Sequence, residues 1–151
     1  MADTTAPSLA GTLQAALNAA RKAQAKDRTL VLGTILANLK NRQIELRREP
    51  TDDEVVDVLR KGIKLRREAA EQFGKAGRTE LAQMEAAQIA VLEEFLPPAV
   101  DPEEIRAVVR ATIDGGATDI GKVMGQVLPR FKGRAEGKVI NEIVREELQK
   151  G

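Results

Sequence analysis

Cysteine, histidine, tryptophan and tyrosine are all absent from the 151 residues, and phenylalanine occurs three times. These absences exclude a good deal of chemistry. No disulfide can form, and no zinc site of the Cys/His kind can be built. No Ser–His or Cys–His nucleophile pair exists, and histidine acid–base catalysis and haem ligation by His go with it. Serine occurs once, at Ser8. Long apolar runs are also missing: the longest clusters are a few residues, far short of the ~20 that span a bilayer. Residues 1–7 lack the basic region and apolar core of a secretory signal, so they read as a short disordered leader. A cytoplasmic location is the expectation. Any enzyme built from this chain would rest on carboxylates, Lys, Thr or a borrowed cofactor, and the sequence assigns no catalytic residue, no cofactor and no metal.

Charge is abundant, at 31% of residues, and nearly balanced, with 24 basic and 23 acidic side chains for a net +1. The balance is uneven along the chain. Residues 21–48 carry +6, residues 60–78 carry +5, residues 80–104 carry −7 and residues 121–138 carry +4. One reading is a set of solvated helix faces whose charges pair with one another. The other is an electrostatic footprint for a polyanion, with the acidic stretch facing a basic partner.

Apolar residues recur at three and four throughout, so the fold class is all-α, multihelical. Leu9, Leu13, Ala16, Leu17 and Ala20 make a first stripe. Asp27 is placed to cap a second helix, with Val31, Leu32, Ile35, Leu39 and Leu46 inside and Pro50 as its stop. Thr51–Glu54 has the capping-box pattern and opens a third helix carrying Val55, Val56, Leu59, Ile63, Ala70 and Phe73. Gly74–Gly77 ends it, and Thr79 starts a fourth with Leu81, Met84, Val91, Leu92 and Phe95. Pro97 and Pro98 break the chain. Asp101, Pro102, Glu103 and Glu104 then supply cap, first-turn Pro and first-turn acids for a fifth helix with Ile105, Val108, Val109, Thr112 and Ile113. Ala107–Ile113 is the one strand competitor, and its capping signal favours helix. Helix six carries Ile120, Val123, Met124, Val127, Leu128 and Phe131; helix seven carries Val139, Ile140, Ile143, Val144 and Leu148. The expected organisation is a leader at 1–7, a helical domain at 8–96, a linker at 97–101 and a three-helix domain at 102–151.

Six of the twelve glycines fall between 115 and 137. Gly116–Lys122 matches the first seven positions of a phosphate-binding loop, but Val123 stands where Ser or Thr would hold magnesium, and a helix precedes it in place of a strand. A mechanical reading remains. Gly121 and Gly125 share one face and would admit another backbone, while Gly133 and Gly137 bracket Arg134 between two helices. The region then presents Lys122, Arg130, Lys132, Arg134 and Lys138 near two helix ends as a candidate phosphate-contacting site, with Arg134 the favoured member. The competing reading is glycines for packing and solvated charges.

These residues carry a resemblance. Gly121-Lys-Val-Met-Gly125, then Pro129, Lys132-Gly-Arg-Ala-Glu-Gly-Lys138 and Val139-Ile-Asn141, resemble the GKVMG…KGRADG…VN signature of the GatB/YqeY family, with Glu136 where Asp is usual. Lys40-Asn-Arg, the Thr51–Glu54 helix start and the stretch VLEEFLPP, with Phe95 for the common Tyr, are similar in kind. The resemblance runs over about residues 8–149 and is to the stand-alone YqeY-like members. It implies a two-domain helical fold and kinship with the tRNA-contacting tail of the B subunit of the glutamine-dependent aminoacyl-tRNA amidotransferase. This chain has no equivalent of that enzyme's catalytic domain. The expected function is therefore a tRNA-binding or accessory module, its partner tRNA or a tRNA-handling enzyme. Two alternatives stay open: an adaptor that binds protein through the acidic 80–104 or basic 21–48 and 60–78 stretches, and a subunit of a carbon–nitrogen ligase with glutamine as amido donor, active only in complex. No membrane partner is expected.

Overall fold

Helix starts set the frame. The Thr51 hydroxyl accepts from the Glu54 amide, and the Glu54 carboxylate accepts from the Thr51 amide at 2.9 Å, the reciprocal pair of a capping box. Arg48 adds a two-nitrogen grip on the same carboxylate at 2.7 and 3.1 Å and holds its pKa down, to about 2. Asp52 accepts from the Leu9 amide at 3.0 Å, tying the first helix to the start of the third. Ser8, Asp101 and Asp119 cap three further helices through their side-chain oxygens.

The computed structural model describes residues 8–150; the leader read at 1–7 lies outside the described residues. Among the described residues all regular structure is helical, as the periodicity predicts: α1 (Leu9–Lys22), α2 (Lys26–Leu46), α3 (Asp52–Lys75), α4 (Thr79–Glu93), α5 (Pro102–Asp114), α6 (Ile120–Val127), a 3₁₀ turn at Leu128–Phe131, and α7 (Gly137–Lys150). The strand competitor at 107–113 lies wholly inside α5. None of the helices is long and apolar enough to cross a membrane. The chain divides into two compact units, Met1–Leu96 and Pro97–Gly151.

In the first unit α2 touches α1, α3 and α4. Leu13, Leu32, Ile35, Leu59 and Leu92 are fully buried at this junction, and each such side chain is worth roughly 1.5–3 kcal/mol of burial. In the second unit α5, α6 and α7 close on Ile105, Val109, Val123, Val127, Phe131 and Ile140.

Several local expectations are corrected. Asp27 is not the cap of α2. The cap position is Ala25, without a side-chain bond, and Asp27 sits in the first turn, where its charge suits the helix dipole. The helix ends at Arg47, which takes a left-handed conformation (φ 58°) three residues before Pro50. Met84 is 53% exposed rather than core. Helix six stops at Val127: Pro129 falls in the tighter 3₁₀ turn, which rotates Leu128 outward to 40% exposure while Phe131 stays buried.

Candidate nucleic-acid interface

The second unit carries the five cations singled out by sequence. Two short-range features shape their surroundings. Gly133 takes φ +76°, a conformation open to glycine at little cost, so the chain turns sharply between the 3₁₀ turn and α7. A Cβ at Gly137 would lie 3.7 Å from Leu128 Cδ1, so the start of α7 rests on the 3₁₀ turn and the segment 128–137 folds back on itself.

The five cations separate into two groups. Arg134 is engaged: Nη2 donates to Glu104 at 3.3 Å, and the guanidinium lies over the Phe131 ring at 5.7 Å. It also lies before α7, not at its first turn. Lys122 stands 3.9 Å from the Asp119 carboxylate. That carboxylate accepts from the Lys122 amide at 2.9 Å and so fills the amide end of α6 with a negative charge. The phosphate-loop-like run at 116–122 is thereby built around an acid. Arg130, Lys132 and Lys138 are exposed, and they make no ion pair or hydrogen bond to any described residue. Arg134, the favoured member in the sequence reading, is thus engaged within the protein, while no described carboxylate engages Arg130, Lys132 or Lys138.

The glycines also separate. Gly133 needs its freedom, as above. Nothing lies within 4 Å of a Cβ built at Gly125, and at Gly121 the nearest atom is Asp119 Oδ1 at 3.3 Å. The close backbone approach expected at Gly121 and Gly125 does not occur.

One charged cluster escaped the sequence reading. Glu147 is 7% exposed, on the inward stripe of α7 beside Ile143 and Val144. It accepts from Arg106 Nη1 at 2.8 Å, Arg110 Nε at 3.1 Å and Lys150 Nζ at 3.3 Å. Hydrogen bonds from Arg106 and then Arg110 outweigh burial and hold the carboxyl down at about 2. Arg106 is in turn shared with Glu146 at 3.0 Å and Glu103 at 3.4 Å. The signal was present: Glu147 falls three residues after Val144 on the apolar spacing, opposite an Arg pair four apart on α5. The bonds from Arg106 and Arg110 to Glu146 and Glu147 join α5 to α7, while Glu103 and Lys150 pair within their own helices, so the cluster organises the unit.

The sequence profile of the Yqey-like protein family matches residues 10–148. A Pyrenophora tritici-repentis protein named altered inheritance of mitochondria protein 41, mitochondrial, is 31% identical over 142 residues, covering 91% of this chain and 77% of its own length. An uncharacterized Schizosaccharomyces pombe protein is 36% identical over 91 residues, covering 60% of this chain and 74% of its own. The Eremothecium gossypii protein of the first name is 31% identical over 113 residues, covering 68% of this chain and 62% of its own. The chain belongs to the YqeY-like protein family.

Proposed function

We propose that this chain is a tRNA-contacting accessory module whose own residues perform no chemistry. The observation that carries the reading is the set Arg130, Lys132 and Lys138: three exposed, unengaged cations on a folded-back segment of nine residues. A cation already paired gains little from a phosphate, because it must first give up its carboxylate; an unengaged one releases the phosphate's counterions outright. Base stacking is a minor contributor. Phe131 is 2% exposed, and Phe73 and Phe95 are half-buried, so affinity comes from backbone charge and shape. Lys122 and Arg134 play a supporting part, adding to the local field without a dedicated contact. The kinship that the sequence resemblance implies with the amidotransferase tail favours tRNA as the polyanion; any amidation would belong to a partner enzyme.

An adaptor role has one observation in its favour. Met84 is exposed on α4, with Glu80 and Glu85 nearby in sequence, an apolar contact with an acidic rim that suits a basic protein. On location, the names of two of the three fungal relatives say mitochondrial, which is a statement about those proteins; for this chain we propose the cytoplasm.

Crosslinking in cells followed by sequencing of the bound RNA tests the reading. Enrichment of tRNA over its cellular share, lost when Arg130, Lys132 and Lys138 are all alanine, is the expected result. Recovery of protein partners with no RNA overturns it in favour of the adaptor.

A further inference from the structure

In the first unit, α2 and α3 enclose a groove of about 710 Å³, within the ~300–1,000 Å³ range of small-ligand sites. Its walls differ in chemistry. The α2 wall presents the carboxamides of Asn38 and Asn41 beside Arg42 and Glu45, which pair with each other at 3.1 Å; the α3 wall presents Asp57, Lys61, Leu65 and Arg66. Asn38, Asn41, Asp57 and Lys61 are exposed, and their side chains make no hydrogen bond or ion pair to any described residue. Arg66 is held differently. Its Nε donates to Gln88 Oε1 at 3.0 Å and its Nη1 to the Gly62 carbonyl at 3.0 Å. Two neutral acceptors thus fix the guanidinium, and no described carboxylate balances its charge. Gly62 makes that fold-back possible, because a Cβ there would lie 3.3 Å from Arg66 Nη1 and 2.8 Å from Ile35 Cδ1. Leu65, 55% exposed, and Val58 give the concavity an apolar surface beside its polar groups.

These features match one ligand class. Carboxamides three residues apart on a helix offer adjacent donors and acceptors, the complement of a heterocycle edge. A fixed guanidinium with an ammonium one turn away suits a phosphate. The exposed leucine suits the face of a ring.

We propose that this groove binds a nucleotide, with the base edge on Asn38 and Asn41, the base face on Leu65, the phosphate on Lys61 and Arg66, and Asp57 accepting from a ribose hydroxyl. Asp57 also sets the size of the anion, since its charge opposes a long polyphosphate. The nucleotide is either free or one unit of an RNA strand; the recognising chemistry is the same. The proposal does not depend on the cations of the second unit.

The test is a titration of the isotope-labelled full chain with adenosine and uridine monophosphates, with adenosine, and with a single-stranded RNA hexamer, followed by amide shifts. For the monophosphates and adenosine, saturable shifts confined to α2 and α3 are expected, with a dissociation constant of about 1 mM or tighter for a monophosphate and about tenfold weaker binding of adenosine. Asn41→Ala and Lys61→Gln, both at exposed positions, should each weaken binding about tenfold with helicity unchanged. The triple alanine variant at 130, 132 and 138 should leave monophosphate binding unaltered. If the hexamer alone binds and the two groove variants abolish that binding, the proposal stands with RNA as the source. No saturable shift of α2 and α3 amides with any probe, or α2 and α3 shifts that survive both groove variants, overturns it, whereas hexamer shifts near 130–138 report on the second unit alone.

Discussion

Gly62 lies inside α3, where glycine is a poor helix former, and replacing it with alanine pits two effects against each other. Removing an interior glycine gains about 0.8–1.0 kcal/mol of helix propensity. The new methyl would sit 2.8 Å from Ile35 Cδ1, 3.3 Å from Arg66 Nη1 and 3.6 Å from Leu92 Cδ1. Ile35 and Leu92 are both fully buried, so neither can swing into solvent. Overpacking of this kind costs roughly 1–3 kcal/mol. The steric cost wins, and Gly62→Ala should destabilise the first unit by about 1 kcal/mol net. Gly33, inside α2, is the matched control: nothing lies within 4 Å of its Cβ position. Gly33→Ala should therefore keep the propensity gain and stabilise by about 0.8–1.0 kcal/mol. Urea unfolding followed by helical circular dichroism reads both. With m near 1–3 kcal/mol/M, the two midpoints should move in opposite directions by about 0.3–1 M. If Gly62→Ala raises the midpoint as Gly33→Ala does, the tight contact at Ile35 is not what holds a glycine at this position.

Further outcomes follow from other contacts. Glu147 titrates near 2 in the folded chain against an ordinary value of 4.5, because Arg106 and Arg110 bond its charged form. Its contribution is fully present above the unfolded value and is lost as pH falls from about 4.5 toward 2. Glu147→Gln should flatten the acid limb of the second unit's unfolding curve across that window, read by amide resonances of α5 and α7; an unchanged limb contradicts the assignment. Arg47→Gly should stabilise by about 1 kcal/mol in the same urea assay, since its left-handed backbone costs a side-chain-bearing residue. Residues 97–101 belong to no helix, and we propose them as the linker; limited proteolysis should cut there before any helix interior, whereas a first cut inside 55–70 would refute the division.

The fold was legible because caps and apolar spacing agreed at most helix starts. Thr51–Glu54 and Asp101 take up the capping positions read from the sequence, while the cap of α6, Asp119, was not singled out. Asp27 misled because an acid in a first turn and an acid at a cap look alike in sequence, while the chain enters α2 through a turn at Gln24 and Ala25. Leu128 misled because a 3.6-residue stripe was extended through a turn of three residues per rotation. At the candidate site, sequence located the basic segment but not its pairing. Arg134 meets Glu104 across thirty positions of chain, and only tertiary structure reveals which cations are already spent. The same holds for Glu147, whose Arg partners lie some forty residues away.

The central claim is that Arg130, Lys132 and Lys138 contact RNA phosphate while Arg134 serves the protein's own packing. Equilibrium binding of purified tRNA, measured from low to moderate salt, separates them directly. Each phosphate contact on a duplex contributes a log–log slope of about −0.9. The triple alanine variant at 130, 132 and 138 should weaken binding and shallow the slope by roughly two to three units. Arg134→Ala should leave the slope within about half a unit of wild type. A triple variant that binds tRNA with wild-type affinity and slope, or a wild-type chain that binds none at low salt, contradicts the account.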